Sequence, residues 1–102
     1  MKILVVGAML LFAQSEVQNA LIRSIKFENF KGVSSDDAMH RFKDRGVRVN
    51  VEQFYEPQQV EAARKLLEEL LEEKGRRGIE VTTTVKRVPP ASVEVTFRAA
   101  KN

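Results

Sequence analysis

Residues 57–75 read PQQVEAARKLLEELLEEKG, and this stretch decides the fold. Its apolar side chains recur three and four residues apart, which is the spacing of one face of an α-helix. Pro57 suits the first helical position, where a missing N–H costs nothing, and Gly75 suits the position after the last turn. The segment therefore predicts an amphipathic helix whose apolar face needs a partner. That face comprises Val60, Ala63, Leu67, Leu70 and Leu71, with Leu66 at its flank.

Two alternating segments follow this helix. Apolar or β-branched residues occupy every second position from Ile79 to Val85, and again from Val93 to Ala99, with mostly polar residues between them. Alternation of this kind is typical of half-buried strands, and the short link containing Pro89-Pro90 predicts an antiparallel hairpin. Each strand has one apolar face, so the helices are expected to cover one side of the sheet.

A strand and a shorter helix are predicted upstream. Residues 21–30 alternate and predict a half-buried strand with Leu21, Ile25 and Phe27 on its apolar face. The sequence Ser34-Ser35-Asp36-Asp37 is typical of a helix start, because serine accepts from free amides and aspartate complements the helix dipole. Met39 and Phe42 share a face of this helix, and Gly46 is suited to ending it. Residues 46–55 are ambiguous, with a brief extended piece at Val47, Val49 and Val51.

Composition narrows the range of functions. The 102 residues include 17 Lys and Arg, 14 Asp and Glu, one histidine and no cysteine, with a net charge of +3. Without cysteine there is no thiol nucleophile, disulfide or thiolate zinc site, and one histidine excludes a multi-histidine metal site. The mild positive charge is spread along the chain. We expect an ordinary globular domain with no metal or other cofactor.

The first residues predict a signal peptide at 1–15. Lys2 precedes eleven uncharged residues, Ile3 to Ala13, and a small-x-small step at Ala13-Gln14-Ser15 follows. Eleven helical residues span about 16 Å, too short for a hydrocarbon core of about 30 Å. A cleaved signal is therefore favoured over an anchor, which leaves residues 16–102 as a single domain. The alternative is a buried first strand at the start of the chain.

These segments together resemble the polypeptide-transport-associated (POTRA) domain of BamA- and TamA-type outer-membrane assembly proteins. The resemblance covers Leu21 to about Ala100. It is carried by Ile25-Lys-Phe-Glu28, Gly32, Phe54-Tyr55-Glu56-Pro57, the helix from Val60 to Gly75 and Ser92-Val-Glu-Val-Thr-Phe97. It implies an α+β fold in the order β-α-α-β-β. Two helices would pack on one face of a three-stranded mixed sheet whose last strand is central.

The resemblance also implies a function. The domain would be a periplasmic, non-enzymatic module, either free in the periplasm or associated with the outer membrane or its surface. It would bind extended or unfolded polypeptide, or another envelope assembly protein, by strand addition during outer-membrane protein assembly or secretion. The expected edge strand consists of Glu80, Val81, Thr82, Thr83, Thr84, Val85, Lys86 and Arg87. Its run of β-branched residues suits backbone pairing.

A second hypothesis comes from the basic residues. Gly75-Arg76-Arg77-Gly78 matches the G-x-x-G loop with which KH domains hold a nucleic-acid backbone, although a strand rather than a helix is predicted after it. A small cytosolic nucleic-acid-binding domain using Arg76, Arg77, Lys86 and Arg87 is thus the alternative. The same two arginines are also possible contacts for another anionic partner.

No catalytic residue is predicted. His40 lies one step off the apolar face of the first helix without a nucleophile or an orienting acid in a recognisable pattern. The carboxylates Glu68, Glu69, Glu72 and Glu73 are interleaved with basic residues and predict a solvated helix face. Neither group of residues predicts an enzyme or a small-molecule substrate.

If residues 1–15 are removed on export, the mature chain begins at Glu16. Intact-mass spectrometry of the protein recovered from the cell envelope should then give the mass of a chain starting at Glu16. Detection of Met1 in that fraction would contradict the prediction.

Overall fold

The computed structural model describes residues 19–101, and the predicted signal peptide lies outside them. Five elements follow one another in the predicted order, which confirms the α+β fold. They are strand β1 (Leu21–Glu28), helix α1 (Ser35–Asp44), helix α2 (Pro57–Glu73), strand β2 (Ile79–Val88) and strand β3 (Ser92–Lys101). Within residues 19–101, neither helix is long and apolar enough to cross a membrane.

The sheet has the order β1-β3-β2, so the last strand is central, as expected. β2 pairs with β3 in an antiparallel hairpin in which Thr84 faces Thr96. β1 pairs with β3 in parallel, with Phe27 opposite Phe97. A parallel and an antiparallel pairing share one central strand, which confirms the mixed sheet.

The core lies between one face of the sheet and the two helices. The central strand contributes Val93, Val95, Phe97 and Ala99, all of them almost fully buried. Every apolar residue predicted for the α2 face is buried against it. The helical spacing and the strand alternation therefore meet in one apolar layer.

Four phenylalanines join the elements at the α1 side of this core. The Phe27 ring on β1 stacks on the Phe97 ring of β3 with centroids 5.7 Å apart. Phe30, after β1, meets Phe27 edge to face at 5.7 Å, and Phe42 on α1 packs on Phe97 at 6.3 Å. These offset and edge-on geometries are those that aromatic pairs favour. They fix α1 over the β1–β3 side of the sheet.

A register shift in β1 corrects the predicted apolar face. The pairing with β3 slips between Ile22 and Ser24, which leaves an extra residue at Arg23. Such a bulge reverses the in–out alternation on one side of it. Ile22 is consequently 1% exposed, whereas Leu21, which was predicted to face the core, is 39% exposed. Ile25 and Phe27, after the bulge, do pack against the core as predicted.

Helix α1 begins and ends as its sequence indicates. The Ser34 hydroxyl accepts a hydrogen bond from the Asp37 N–H, at 3.0 Å, and the Asp37 carboxylate accepts one from the Ser34 N–H. This reciprocal capping box satisfies two amides that the helix leaves unpaired. Gly46, at φ +71°, takes the left-handed conformation just past the end of α1.

The ambiguous segment 46–55 does not form a strand, but it covers part of an edge. Its backbone bonds to the outer side of β1: the Ile22 N–H donates to Gln53 O, and the Glu52 N–H donates to Ile22 O, both at 2.8 Å. The Tyr55 N–H donates to Ala20 O at 2.7 Å. Within the segment, the Val49 side chain is buried in the core. The outer edge of β1 is therefore already hydrogen-bonded at its start, through the backbone groups of Ala20 and Ile22.

Truncating Leu67 tests the packing of α2 on the sheet. Leu67 is 1% exposed. Leu67→Ala should lower the free energy of unfolding by about 2–5 kcal/mol, because it removes a buried side chain and leaves a cavity. Leu21→Ala is the matched control, since Leu21 is partly exposed, and it should cost much less. Equal losses for the two variants in urea denaturation would contradict this packing and the β1 register.

Candidate functional site

The strand predicted as the docking edge, Glu80 to Arg87, lies within β2 at the edge of the sheet. Among the described residues β2 has a single strand partner, β3. Side chains of α2 contact the other edge of β2 over part of its length, and the rest of that edge is open. An edge strand of this kind presents backbone donors and acceptors to another chain.

Side chains of α2 identify which backbone groups point outward. The Val81 N–H donates to Oε2 of Glu68 at 2.9 Å, and the Val81 carbonyl accepts from Nη1 of Arg64 at 3.2 Å. Both backbone groups of Val81 are therefore directed away from β3. Two contacts, one to the N–H and one to the carbonyl, thus identify the outward side of this residue.

The outward direction alternates along the rest of β2. In an antiparallel strand the N–H and C=O of one residue point to the same side, and those of the next point to the other. Thr83 and Val85 therefore present their backbone groups to the outer edge, as Val81 does. Thr82 and Thr84 point theirs toward β3, in register with Arg98 and Thr96.

The side chains of the edge follow the complementary alternation. Val81 is buried, and Thr83 and Val85 are partly buried, on the helix-covered face. Thr82, Thr84 and Lys86 are exposed on the opposite face. The Thr83 hydroxyl oxygen is buried without a hydrogen-bond partner in the described structure. The open part of the edge is thus recognised through its backbone, since its outward residues turn their side chains inward.

A small ionic network holds Arg64 beside the edge. Its guanidinium contacts the Glu61 carboxylate at 2.6 Å and the Glu68 carboxylate at 2.9 Å. The hydrogen bond with Glu61 is the main cause that raises the pKa of Arg64, and the same bond lowers the pKa of Glu61. Both groups consequently stay charged at neutral pH. The Arg64 side chain is only 23% exposed, so it has little freedom to leave this position.

The other carboxylates of α2 are exposed, as predicted, and two of them also pair with arginines of α1 or the residue that follows it. The Glu73 carboxylate pairs bidentately with Arg41 of α1, at 2.8 Å for each contact, which lowers the pKa of Glu73. Glu69 reaches Arg45 at 3.2 Å. These pairs join the two helices. The solvated helix face predicted from the sequence therefore also makes contacts between elements, of which the bond from Val81 to Glu68 matters most for the edge.

Arg76 and Arg77, the possible anion contacts, differ in their surroundings. The Arg76 guanidinium donates through Nη1 to the backbone carbonyls of Asn29 and Lys31, at 3.1 and 3.2 Å. Arg76 is partly buried by this contact, whereas Arg77 is exposed. Arg76 therefore fixes the turn after β1. Arg77 alone is presented as a plain surface charge.

The basic residues of the second hypothesis do not form one surface. Arg76 and Arg77 precede β2, and Lys86 and Arg87 lie at its far end. Nine residue steps, most of them along β2, separate Arg77 from Lys86 by roughly 30 Å. A G-x-x-G clamp also requires a helix after the loop, and β2 follows instead.

A further concave site is an open groove between α1 and the segment before α2. Its volume is about 780 Å³, and the exposed His40 lies on its wall. Within residues 19–101, no three His, Asp or Glu side chains are placed to hold a metal ion. The groove walls include Met39, His40, Phe42, Val47, Val49 and Gln53.

Comparisons with known proteins agree with this geometry. The family model POTRA, described as a surface antigen variable number repeat, matches residues 20–100. The crystal structure of POTRA4 of BamA from Haemophilus influenzae superposes with a TM-score of 0.64 at 13% identity. The match covers 82% of this chain and 92% of that one. No curated protein sequence matches the chain. Because the family model spans most of the chain and the strand order agrees, the protein belongs to the POTRA family.

Proposed function

We propose that the domain binds extended polypeptide by adding it as a strand to the open edge of β2. The single observation that carries the proposal is the outward direction of the backbone groups of Thr83 and Val85 on an edge strand. No hydrogen bond between described residues occupies those groups. An incoming backbone supplies matching donors and acceptors whatever its side chains, which suits a domain that handles many sequences.

The proposal includes the place and the setting of this activity. The domain acts in the periplasm, on unfolded outer-membrane polypeptides or on another envelope assembly protein, during assembly or secretion. Support comes from the family and from the signal peptide expected at residues 1–15. The domain acts by binding and is not an enzyme. The outer-membrane surface is a further possible contact.

Two proline variants test the direction of the edge. Thr84→Pro should remove an N–H that bonds to β3, so the hairpin should lose much of its stability. Thr83→Pro removes an outward N–H and should leave the domain folded, because edge positions tolerate proline. Circular dichroism and thermal unfolding compare the two variants. A folded Thr84→Pro beside an unfolded Thr83→Pro would reverse the assigned directions.

Binding is then measured with a fluorescent peptide of alternating valine and threonine, flanked by lysines. Thr83→Pro should weaken binding by about tenfold or more, since it removes one bond and obstructs the edge. Thr83→Val is the matched control: it keeps the backbone and should bind normally. It should also stabilise the domain by about 1 kcal/mol by replacing an unpaired buried hydroxyl.

Arg77→Gln and added salt test the electrostatic alternative. Strand addition predicts that neither changes peptide binding appreciably. Binding that survives Thr83→Pro but falls steeply with salt and with Arg77→Gln would contradict the proposal. A readout on the unmodified protein complements the variants, since bound peptide should slow amide exchange at Thr83 and Val85.

A further inference from the structure

We infer that Arg64 and Glu68 form an edge clamp, which closes β2 at Val81 and confines strand addition to residues 82–88. The inference rests on the proposed function and adds a limit on the length and register of the strand that is bound. It assigns a specificity role to two side chains of α2, Arg64 and Glu68.

The clamp occupies both backbone groups that an added strand needs at Val81. Oε2 of Glu68 lies 2.9 Å from the Val81 nitrogen and 2.9 Å from Nη1 of Arg64. That same Nη1 lies 3.2 Å from the Val81 carbonyl oxygen. One carboxylate and one guanidinium thus bond to each other and to the edge. In effect they replace the backbone of a fourth strand at this residue.

Strand addition at Val81 would replace stronger hydrogen bonds with weaker ones. The N–H of Val81 already donates to a carboxylate, and hydrogen bonds to an ionised partner are roughly twice as strong as those between neutral amides. An incoming carbonyl would have to displace that carboxylate, which would then lose its hydrogen bond with the Val81 N–H. Glu61 further holds Arg64 in place. Nothing among the described residues competes in this way at Thr83 or Val85.

Two prolines after β2 limit the other end of the open edge. Pro89 and Pro90 follow Val88, and proline has no N–H to donate. The usable edge therefore runs from just beyond Val81 to Val88, which is about 20–25 Å of strand. A bound polypeptide needs an extended segment of only about six or seven residues to fill it.

The first experiment measures amide exchange in the protein without any peptide. By NMR, the Val81 amide should exchange about tenfold more slowly than those of Thr83 and Val85, because Glu68 holds it in a hydrogen bond. Glu68→Ala should bring the Val81 rate into the range of the other two. Glu69→Ala is the matched control, since Glu69 is the next residue of the helix and pairs with Arg45 of α1. It should leave the Val81 rate unchanged.

The second experiment compares two valine–threonine peptides with lysines at their ends. One has about seven alternating residues and fills the open edge, and the other has about ten and also reaches residues 79–81. Wild type should bind the two equally within about twofold, and Glu68→Ala should bind the longer one about fivefold to tenfold more tightly. Glu69→Ala should behave as wild type.

The outcomes separate the clamp from the proposed function. A Val81 amide that exchanges as fast in wild type as in Glu68→Ala overturns the clamp, whether or not peptide binds. A wild-type preference for the longer peptide that is unchanged in Glu68→Ala also overturns it. If exchange at Val81 behaves as expected but neither peptide protects Thr83 and Val85, the proposed function fails, and the limit on strand length fails with it.

Discussion

Burial of one face of β3 beneath two helices is the constraint on which the rest of the structure depends. Val93, Val95 and Phe97 on this central strand are fully buried. β1 and β2 take their positions by pairing with its two sides. The helices must then lie on the apolar face, and α2 is long enough to reach the outer side of β2. The edge and the side chains that guard part of it are consequences of that arrangement.

Much of this fold can be predicted from the sequence, because helical and strand periodicities are local signals. The apolar face of α2, the hairpin and the capping box at Ser34 all follow from residue types at fixed spacings. The exception in β1 is instructive. A bulge at Arg23 depends on how the strand meets β3, so alternation alone predicts Leu21 in the core, whereas the structure buries Ile22. Periodicity cannot locate a register shift that only the partner strand determines.

Some features of the candidate site can likewise be predicted from the sequence, and others cannot. The β-branched run after α2 predicts a strand, and the resemblance to the POTRA family implies that this strand lies at an edge of the sheet. Which of its amides point outward depends on the hairpin register, which sequence does not reveal. The contact between Glu68 and Val81 spans 13 residues and joins a helix to a strand. Glu68 lies four residues after Arg64, which is the spacing of an ion pair on one helix. Nothing in the sequence distinguishes this pair from an ordinary surface ion pair. Likewise, Arg76 resembles a free surface charge until the turn at Asn29 is placed against it.

The parallel pairing of β1 with β3 has a consequence for the order in which the domain assembles. The hairpin of β2 and β3 closes within a short stretch of chain, but Ile22 and its partner Val93 are separated by roughly 70 residues. At a synthesis rate of about 5–20 residues per second, β1 waits several seconds before its partner has been made. β1 therefore cannot pair until nearly all of the domain has been made, and Ile22 and Phe27 pass that interval without a sheet to cover them. During biogenesis the domain is itself an unfolded chain with an exposed apolar strand, the same kind of molecule that we propose it binds once folded.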